Sequence, residues 1–172
     1  MSKTLVAYYS RAGENYFGGA YKSIEVGNTA VIAKIIADET HGDIFEIKSA
    51  REYSNNYTKC TEEAKEDLHA NLRPQLIDDI QNIDQYDTIY LGYPMWWGTC
   101  PMPVFTFLEA HDFQGKKIVP FCTHEGSGLG SSTSDIKKST PHATVTKGFA
   151  IVGSNVHTER AKASVISSIH KQ

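Results

Sequence analysis

Lys3-Thr4-Leu5-Val6-Ala7-Tyr8-Tyr9 is a run of apolar, β-branched and aromatic residues that stops at Ser10. After its first two positions it carries no polar alternation, so it reads as a strand covered on both faces, as strands of parallel sheets are. Downstream, Asn28 is placed to cap a helix whose apolar face is Ala30, Val31, Ala33, Ile35, Ile36 and Ala37 and which stops near Gly42. Ile44 to Ile47 alternates as a second strand, and the Glu-, Ala-, Lys- and Leu-rich stretch Thr61 to Leu72 favours helix. Asp87 to Tyr93 is a third strand, followed by a helix over Val104 to Ala110. Lys117 to Thr123 is a fourth strand, and a helix beginning after Gly130 holds Ser134 to Ser139. Val145 to Val152 is a fifth strand and Glu159 to His170 a last helix. Strands joined by crossovers of helical length run parallel, so the expected architecture is an α/β three-layer sandwich around a five-stranded parallel sheet. With no repeat, linker or low-complexity segment, residues 1–172 are expected to form a single domain.

The composition narrows the function classes. Seventeen basic and twenty acidic side chains leave a net charge of -3, and no basic cluster exceeds two in a row. The electrostatic footprint of a nucleic-acid binder is therefore missing. Apolar stretches such as Val31 to Ala37 are far too short for a membrane span, and the N-terminal run is too short for a signal peptide. The expectation is a soluble, cytoplasmic protein without membrane or nucleic-acid partners. Cys60, Cys100 and Cys122 have no CxxC spacing and read as free thiols, and the scattered histidines show no metal-ligand pattern.

In open parallel sheets, ligands bind beyond the carboxyl ends of the strands, so three loops matter. After strand one come Ser10-Arg11-Ala12-Gly13 and later Gly27-Asn28-Thr29 at a helix start. Small residues, hydroxyls and a helix N-terminus together suit an anion, whereas the plain alternative is an ordinary strand-to-helix turn. After strand three comes Pro94-Met95-Trp96-Trp97-Gly98. Adjacent tryptophans in a Pro/Gly-framed loop suit a planar ligand; a subunit interface, and with it a homodimer, is the other reading. After strand four comes Thr123-His124-Glu125-Gly126-Ser127-Gly128-Leu129-Gly130. Its GSGLG run places the third glycine one position early for a dinucleotide fingerprint and follows the wrong strand. His124 and Glu125 are either an acid/base pair or simply solvent-facing.

Taken together, these loops resemble the flavodoxin-like family of FMN-binding proteins across nearly the whole chain. The residues that carry the likeness are YYSRAG…GNT, YPMWWG and FCTHEGSGLG. The resemblance implies strand order 2-1-3-4-5 and FMN as cofactor. It places Ser10, Arg11, Ala12, Asn15, Asn28 and Thr29 around the phosphate, and Pro94, Met95, Trp96, Trp97 and Gly98 along one side of the flavin. Thr123, His124, Glu125, Gly126, Ser127 and Gly128 would line the other side. Gly98 would let the loop turn a backbone carbonyl toward the flavin, and His124 is the histidine placed to donate a proton there. One departure from the simple pattern is the inserted segment Glu14 to Val26, whose residues Asn15 to Lys22 read as a small hairpin turning at Gly18-Gly19. A second is the low net charge, which gives little steering toward a large basic partner. The expected function is an FMN-dependent redox protein, leaning toward a reductase of small molecules with NAD(P)H or quinone chemistry. An electron carrier serving a redox partner protein, or a regulatory binding module on the same fold, is the alternative.

Overall fold

Apolar strands without polar alternation must be covered on both faces, and this chain covers them with helices on each side. A computed structural model describes residues 2–172. The strands and helices run in the order β1 (Thr4–Tyr8), β2 (Gly13–Phe17), β3 (Ala20–Ile24), α1 (Asn28–Thr40), β4 (Asp43–Glu46) and α2 (Tyr57–His69), then β5 (Thr88–Pro94), α3 (Met102–Glu109), β6 (Lys117–His124), α4 (Ser132–Ser139), β7 (Thr144–Val145), β8 (Phe149–Val152) and α5 (Glu159–Ile169). The main sheet is ordered β4-β1-β5-β6, with β7 and β8 both beside β6, and every pairing in it is parallel. This is the expected order, with the inserted hairpin β2–β3 forming its own antiparallel pair off the sheet.

Successive residues of a strand face opposite ways, and the core divides accordingly. Val6, Tyr90 and Val119 pack with Ile32 and Ile36 of α1 and Val165 of α5. Leu5, Ala7, Leu91 and Ile118 pack on the other side with Phe107 and Leu108 of α3 and Ile136 of α4. Gly92 in β5 makes room for this packing, since a Cβ there would lie 2.2 Å from the ring of Phe121. All three cysteines are buried and free. Among the described residues no helix is long and apolar enough to cross a membrane.

Three local readings need correction. The fifth strand is two pieces, because its middle passes Pro120, which has no N–H to offer a neighbour. There the chain turns at Gly148 (φ +68°), whose Cβ would stand 2.3 Å from the Pro120 carbonyl oxygen. Helix α2 begins at Tyr57 rather than Thr61, because the side chain of Asn56 accepts from Lys59 N at 2.9 Å and caps it. Asn28 is the first residue of α1 and not its cap. Gly27 holds the cap position, and the Ser10 hydroxyl accepts from Ala30 N at 3.1 Å across the end of β1.

Candidate functional site

Where β1, β5 and β6 end, a cleft of about 370 Å³ opens between α1, α2 and the β2–β3 hairpin. Its inner end is polar. The first N–H groups of α1 have no intrahelical partners, as at every helix start, and the helix dipole makes this end favourable to negative charge. Thr29 and Thr123 are both buried, and their hydroxyls are 2.8 Å apart. One hydroxyl donates to the other, which leaves the second proton free for a further acceptor. Beside them, Asn28 Oδ1 is buried with no hydrogen-bond partner. A buried acceptor without a donor costs about 1–3 kcal/mol, so it marks a place a ligand hydroxyl would satisfy. Gly153 keeps this corner open, because a Cβ there would lie 2.6 Å from Asn28 Nδ2 and 3.0 Å from Glu125 Oε1.

The outer end is aromatic. Trp96 stands between Tyr9 and Tyr53, edge to face with ring centroids at 5.5 Å and 5.0 Å. Tyr53 is in turn held by the buried carboxylate of Asp67, to which it donates at 2.7 Å, while Arg51 Nε donates to the same carboxylate at 3.0 Å. Burial and this hydrogen bond push the Tyr53 phenol far above its ordinary pKa. Trp97 is half-exposed, in the left-handed region at φ +53°, followed by Gly98 at +81°. Positive φ at both central residues, closed by Trp96 N to Thr99 O (3.0 Å) and Thr99 N to Trp96 O (3.2 Å), makes a tight turn of the primed type. The Trp97 indole N–H donates to Thr61 O at 2.8 Å.

Of the residues singled out in the sequence, Arg11, Asn15, Asn28, Thr29, Pro94, Met95, Trp96, Trp97, Thr123, His124, Glu125 and Ser127 line this cleft. Ser10, Ala12, Gly98, Gly126 and Gly128 do not. The Ser10 oxygen serves α1, and the Gly98 carbonyl accepts from Ser131 N (2.8 Å) and Ser131 Oγ (3.1 Å). Arg11 reaches the cleft wall with Nε donating to the carbonyl of Glu14 (3.2 Å) and Nη2 to those of Ser54 (2.9 Å) and Asn55 (3.1 Å), which uses three of its five N–H donors. The Asn15 amide braces the same loop by donating to the carbonyls of Arg11 (3.0 Å) and Gly13 (3.2 Å). His124 Nδ1 accepts from Gly126 N at 2.9 Å, which leaves Nε2 to carry the proton of the neutral ring. Burial lowers the His124 pKa below its ordinary value, partly opposed by Glu125, so the unshifted value expected of a proton donor is not what this loop provides.

The sequence matches the family model described as Flavodoxin over residues 3–165. The chain belongs to the flavodoxin family. Among solved structures, a candidate flavoprotein of Bacteroides uniformis is 28% identical, with a TM-score of 0.77 over 98% of each chain. A flavoprotein of Lactobacillus acidophilus in complex with FMN is 23% identical, with a TM-score of 0.66 over 91% of this chain and 97% of its own. An NADH:FMN oxidoreductase in apo form is 15% identical, with a TM-score of 0.58 over 99% of this chain and 88% of its own. The likeness to the last two is one of fold. No curated protein matches the sequence.

This flavodoxin-family cleft has one wall that sequence reading missed. Tyr57, Cys60, Thr61 and Ala64 of α2 line it, as does Gly153. The four α2 residues recur at spacings of three, four and seven, which is one face of a helix. Starting that helix at its Asn56 cap would have exposed the pattern. Burial raises the pKa of the Cys60 thiol, so it is a packing residue of the wall and not a poised nucleophile. Gly153 carries no comparable signal in the sequence.

Proposed function

We propose that this chain binds FMN in the cleft and works as a redox protein whose electrons pass to a small molecule. The observation that carries the reading is the polarity of the cleft from end to end. FMN is a phosphate, a hydroxylated chain and a flat ring, and the cleft offers a counterpart to each. The free N–H groups of α1 suit the phosphate, with the dipole favouring its charge. The orphaned Asn28 Oδ1 takes a hydroxyl. The tryptophans of the β5 loop give the ring an apolar cover. Bound FMN supplies reversible electron and hydride transfer at its ring. The protein excludes water with Met95, Trp96 and Trp97, orients the cofactor from its inner end, and holds a proton at His124 Nε2 beside the THEGSG loop. A net charge of -3 gives little of the field that would recruit a large basic partner, which favours the reductase over the dedicated carrier.

The test is titration of the flavin-free protein with FMN and with riboflavin. Two donors to a charged group are worth about 3 kcal/mol or more together, so FMN should bind about a hundredfold tighter. Equal affinity would remove α1 from the phosphate. Stopped-flow reduction of the FMN-loaded protein by NADH or NADPH should be fast. Negligible reduction by both, alongside rapid electron exchange with a protein partner, would reverse the choice in favour of the carrier.

A further inference from the structure

The turn that carries Trp97 is clamped from two sides. The indole N–H donates to Thr61 O of α2 at 2.8 Å, and Lys65 Nζ lies 5.1 Å over the ring. The backbone of the turn is held by α4. The Gly98 carbonyl accepts from Ser131 N at 2.8 Å, and the Thr99 hydroxyl donates to Asp135 Oδ2 at 2.6 Å. The Ser131 hydroxyl stands between the same two groups, 2.9 Å from Asp135 Oδ2 and 3.1 Å from the Gly98 carbonyl oxygen. One carboxylate oxygen thus gathers a hydroxyl from each side of the contact between turn and helix. Hydrogen bonds to a charged acceptor are the strong ones.

The sequence makes room for this contact. Gly130 sits at φ +49°, and a Cβ there would lie 2.4 Å from the Gly98 carbonyl oxygen. A side chain at that position would push the turn away from α4. The start of α4 is itself fixed. The Tyr93 hydroxyl donates to Ser132 Oγ at 2.8 Å and Ser132 Oγ donates to Leu129 O at 2.6 Å, with Tyr93 and Ser132 fully buried. The helix is therefore a firm platform, and the turn needs one. Its own two backbone bonds join Trp96 to Thr99, which fixes its shape and leaves its angle over the cleft to outside contacts.

We propose that Asp135 is a positioning residue of the cofactor cleft. By holding Thr99 and Ser131 it sets the angle of the Trp97-Gly98 turn, and with it how closely Trp97 lies on the flavin. This role rests on the FMN reading for what Trp97 covers. Asp135 does not itself line the cleft. A carboxylate in a first helical turn has a plainer use, which is to stabilise the helix through its charge. The two roles part on substitution by asparagine, which removes the charge and keeps an acceptor oxygen.

The test compares the FMN-loaded native chain with Asp135→Ala, Asp135→Asn and Ile136→Val, reading FMN affinity and flavin fluorescence with protein in excess so that all flavin is bound. In Asp135→Ala the flavin should fluoresce more brightly, as the indole moves off it. FMN should bind roughly three- to tenfold more weakly, the worth of one aromatic contact. Asp135→Asn should recover most of both. Ile136→Val trims the contact of α4 with the core and leaves the bonds to the turn in place. It should lower the melting temperature and leave flavin fluorescence at the native level. Native fluorescence and FMN affinity in Asp135→Ala would overturn the role. So would an Asp135→Asn protein as bright and as weak as Asp135→Ala, which would make the charge the active part. Equal brightening in Ile136→Val would also overturn it, by making the effect one of a looser helix. Should Asp135→Ala not fold, Thr99→Val keeps the side-chain shape, removes one of the two hydroxyls and should brighten the flavin by itself; an unchanged flavin there overturns the role. If the native protein binds no FMN, the proposed function fails on its own, and the positioning role is read without cofactor. In a Trp96→Phe background Trp97 is the one tryptophan left, and Asp135→Ala should shift its emission. Unchanged emission would overturn the role.

Discussion

Thr29 and Thr123 lie 94 residues apart in sequence, yet their hydroxyls meet at 2.8 Å in the buried inner end of the cleft. Tyr16 and Trp97, at the outer end, are carried by a hairpin and a tight turn and stand about half in water. The inner end is made by the last residues of β1 and β6 and the first turn of α1, elements already fixed by the core. The outer end is fixed by bonds from side chains to backbone, such as Glu14 to Tyr57 N and the Trp97 indole to Thr61 O. Polar recognition that uses strand ends is preorganised at no extra ordering cost, whereas the aromatic walls need anchors of their own. It follows that changes at the inner end should harm folding and cofactor binding together, and changes at the outer end should separate the two.

The set Arg51, Asp67, Tyr53 and Trp96 ties α2 to the aromatic end. The Asp67 side chain is only 8% exposed and carries both the ion pair and the tyrosine. Removing one partner of a buried pair costs about 3–5 kcal/mol. Arg51 keeps partial access to water, which brings Asp67→Ala below that range, to about 2–3 kcal/mol. The expected result is the largest loss of this series, a melting temperature lower by roughly 4–12 °C, together with altered Trp96 fluorescence as Tyr53 loses its anchor. Unchanged tryptophan emission in Asp67→Ala would break the link between α2 and the aromatic end.

Gly27→Ala strikes the inner end alone. A Cβ there would sit 2.1 Å from Ser10 Oγ and 2.7 Å from the Arg11 carbonyl oxygen, so the cap of α1 has to move. Overpacking of this kind costs about 1–3 kcal/mol. Thermal melting should show that loss, and FMN titration should show weaker binding in parallel. A variant that melts lower while binding FMN as the native chain does would separate what the comparison joins.

The sheet and its order were legible because its central strands β1, β5 and β6 are apolar runs and the crossovers between them are long. The inner end was legible for a related reason, since the ends of such strands are where ligands bind. The α2 wall was not legible, because the Glu- and Ala-rich composition starts at Thr61, four residues after the helix's first residue, Tyr57. The resemblance places Ser10 and Gly98 at the ligand; a motif does not reveal that the Ser10 oxygen also accepts from Ala30 N, or that the Gly98 carbonyl accepts from Ser131 Oγ. Which of two adjacent tryptophans faces solvent was equally hidden, because it depends on a positive φ at Trp97 that no residue preference for tryptophan suggests.

That φ makes a sharp variant available at the outer end. Asparagine tolerates the left-handed region better than tryptophan, so Trp97→Asn relieves backbone strain while removing the ring. Stability should change by about 1 kcal/mol at most. Flavin bound to this variant should fluoresce more brightly, because a neighbouring indole that quenches by electron transfer is gone. Trp96→Leu, made inside the Tyr9 and Tyr53 clasp, should instead act mainly on melting temperature. The reverse pattern would exchange the roles of the two tryptophans.

The smallest expected effect is on the pH dependence of folding. Burial lowers the His124 pKa in the folded chain, and the Gly126 N–H bond to Nδ1 requires the neutral ring. In the unfolded chain the imidazole titrates near about 6.5. Below that pH the unfolded state binds more protons than the folded one, and stability therefore falls with acidification until the folded pKa is passed. The contribution of His124 is fully present above the unfolded value and is lost as pH drops below it. His124→Gln cannot titrate and should flatten this part of the curve. The measurement is the difference between native and His124→Gln melting temperatures from pH 7.5 down to pH 5, since the other titrating groups cancel in that difference. A native advantage that grows on acidification would mean that His124 is charged in the folded loop, with Glu125 outweighing burial.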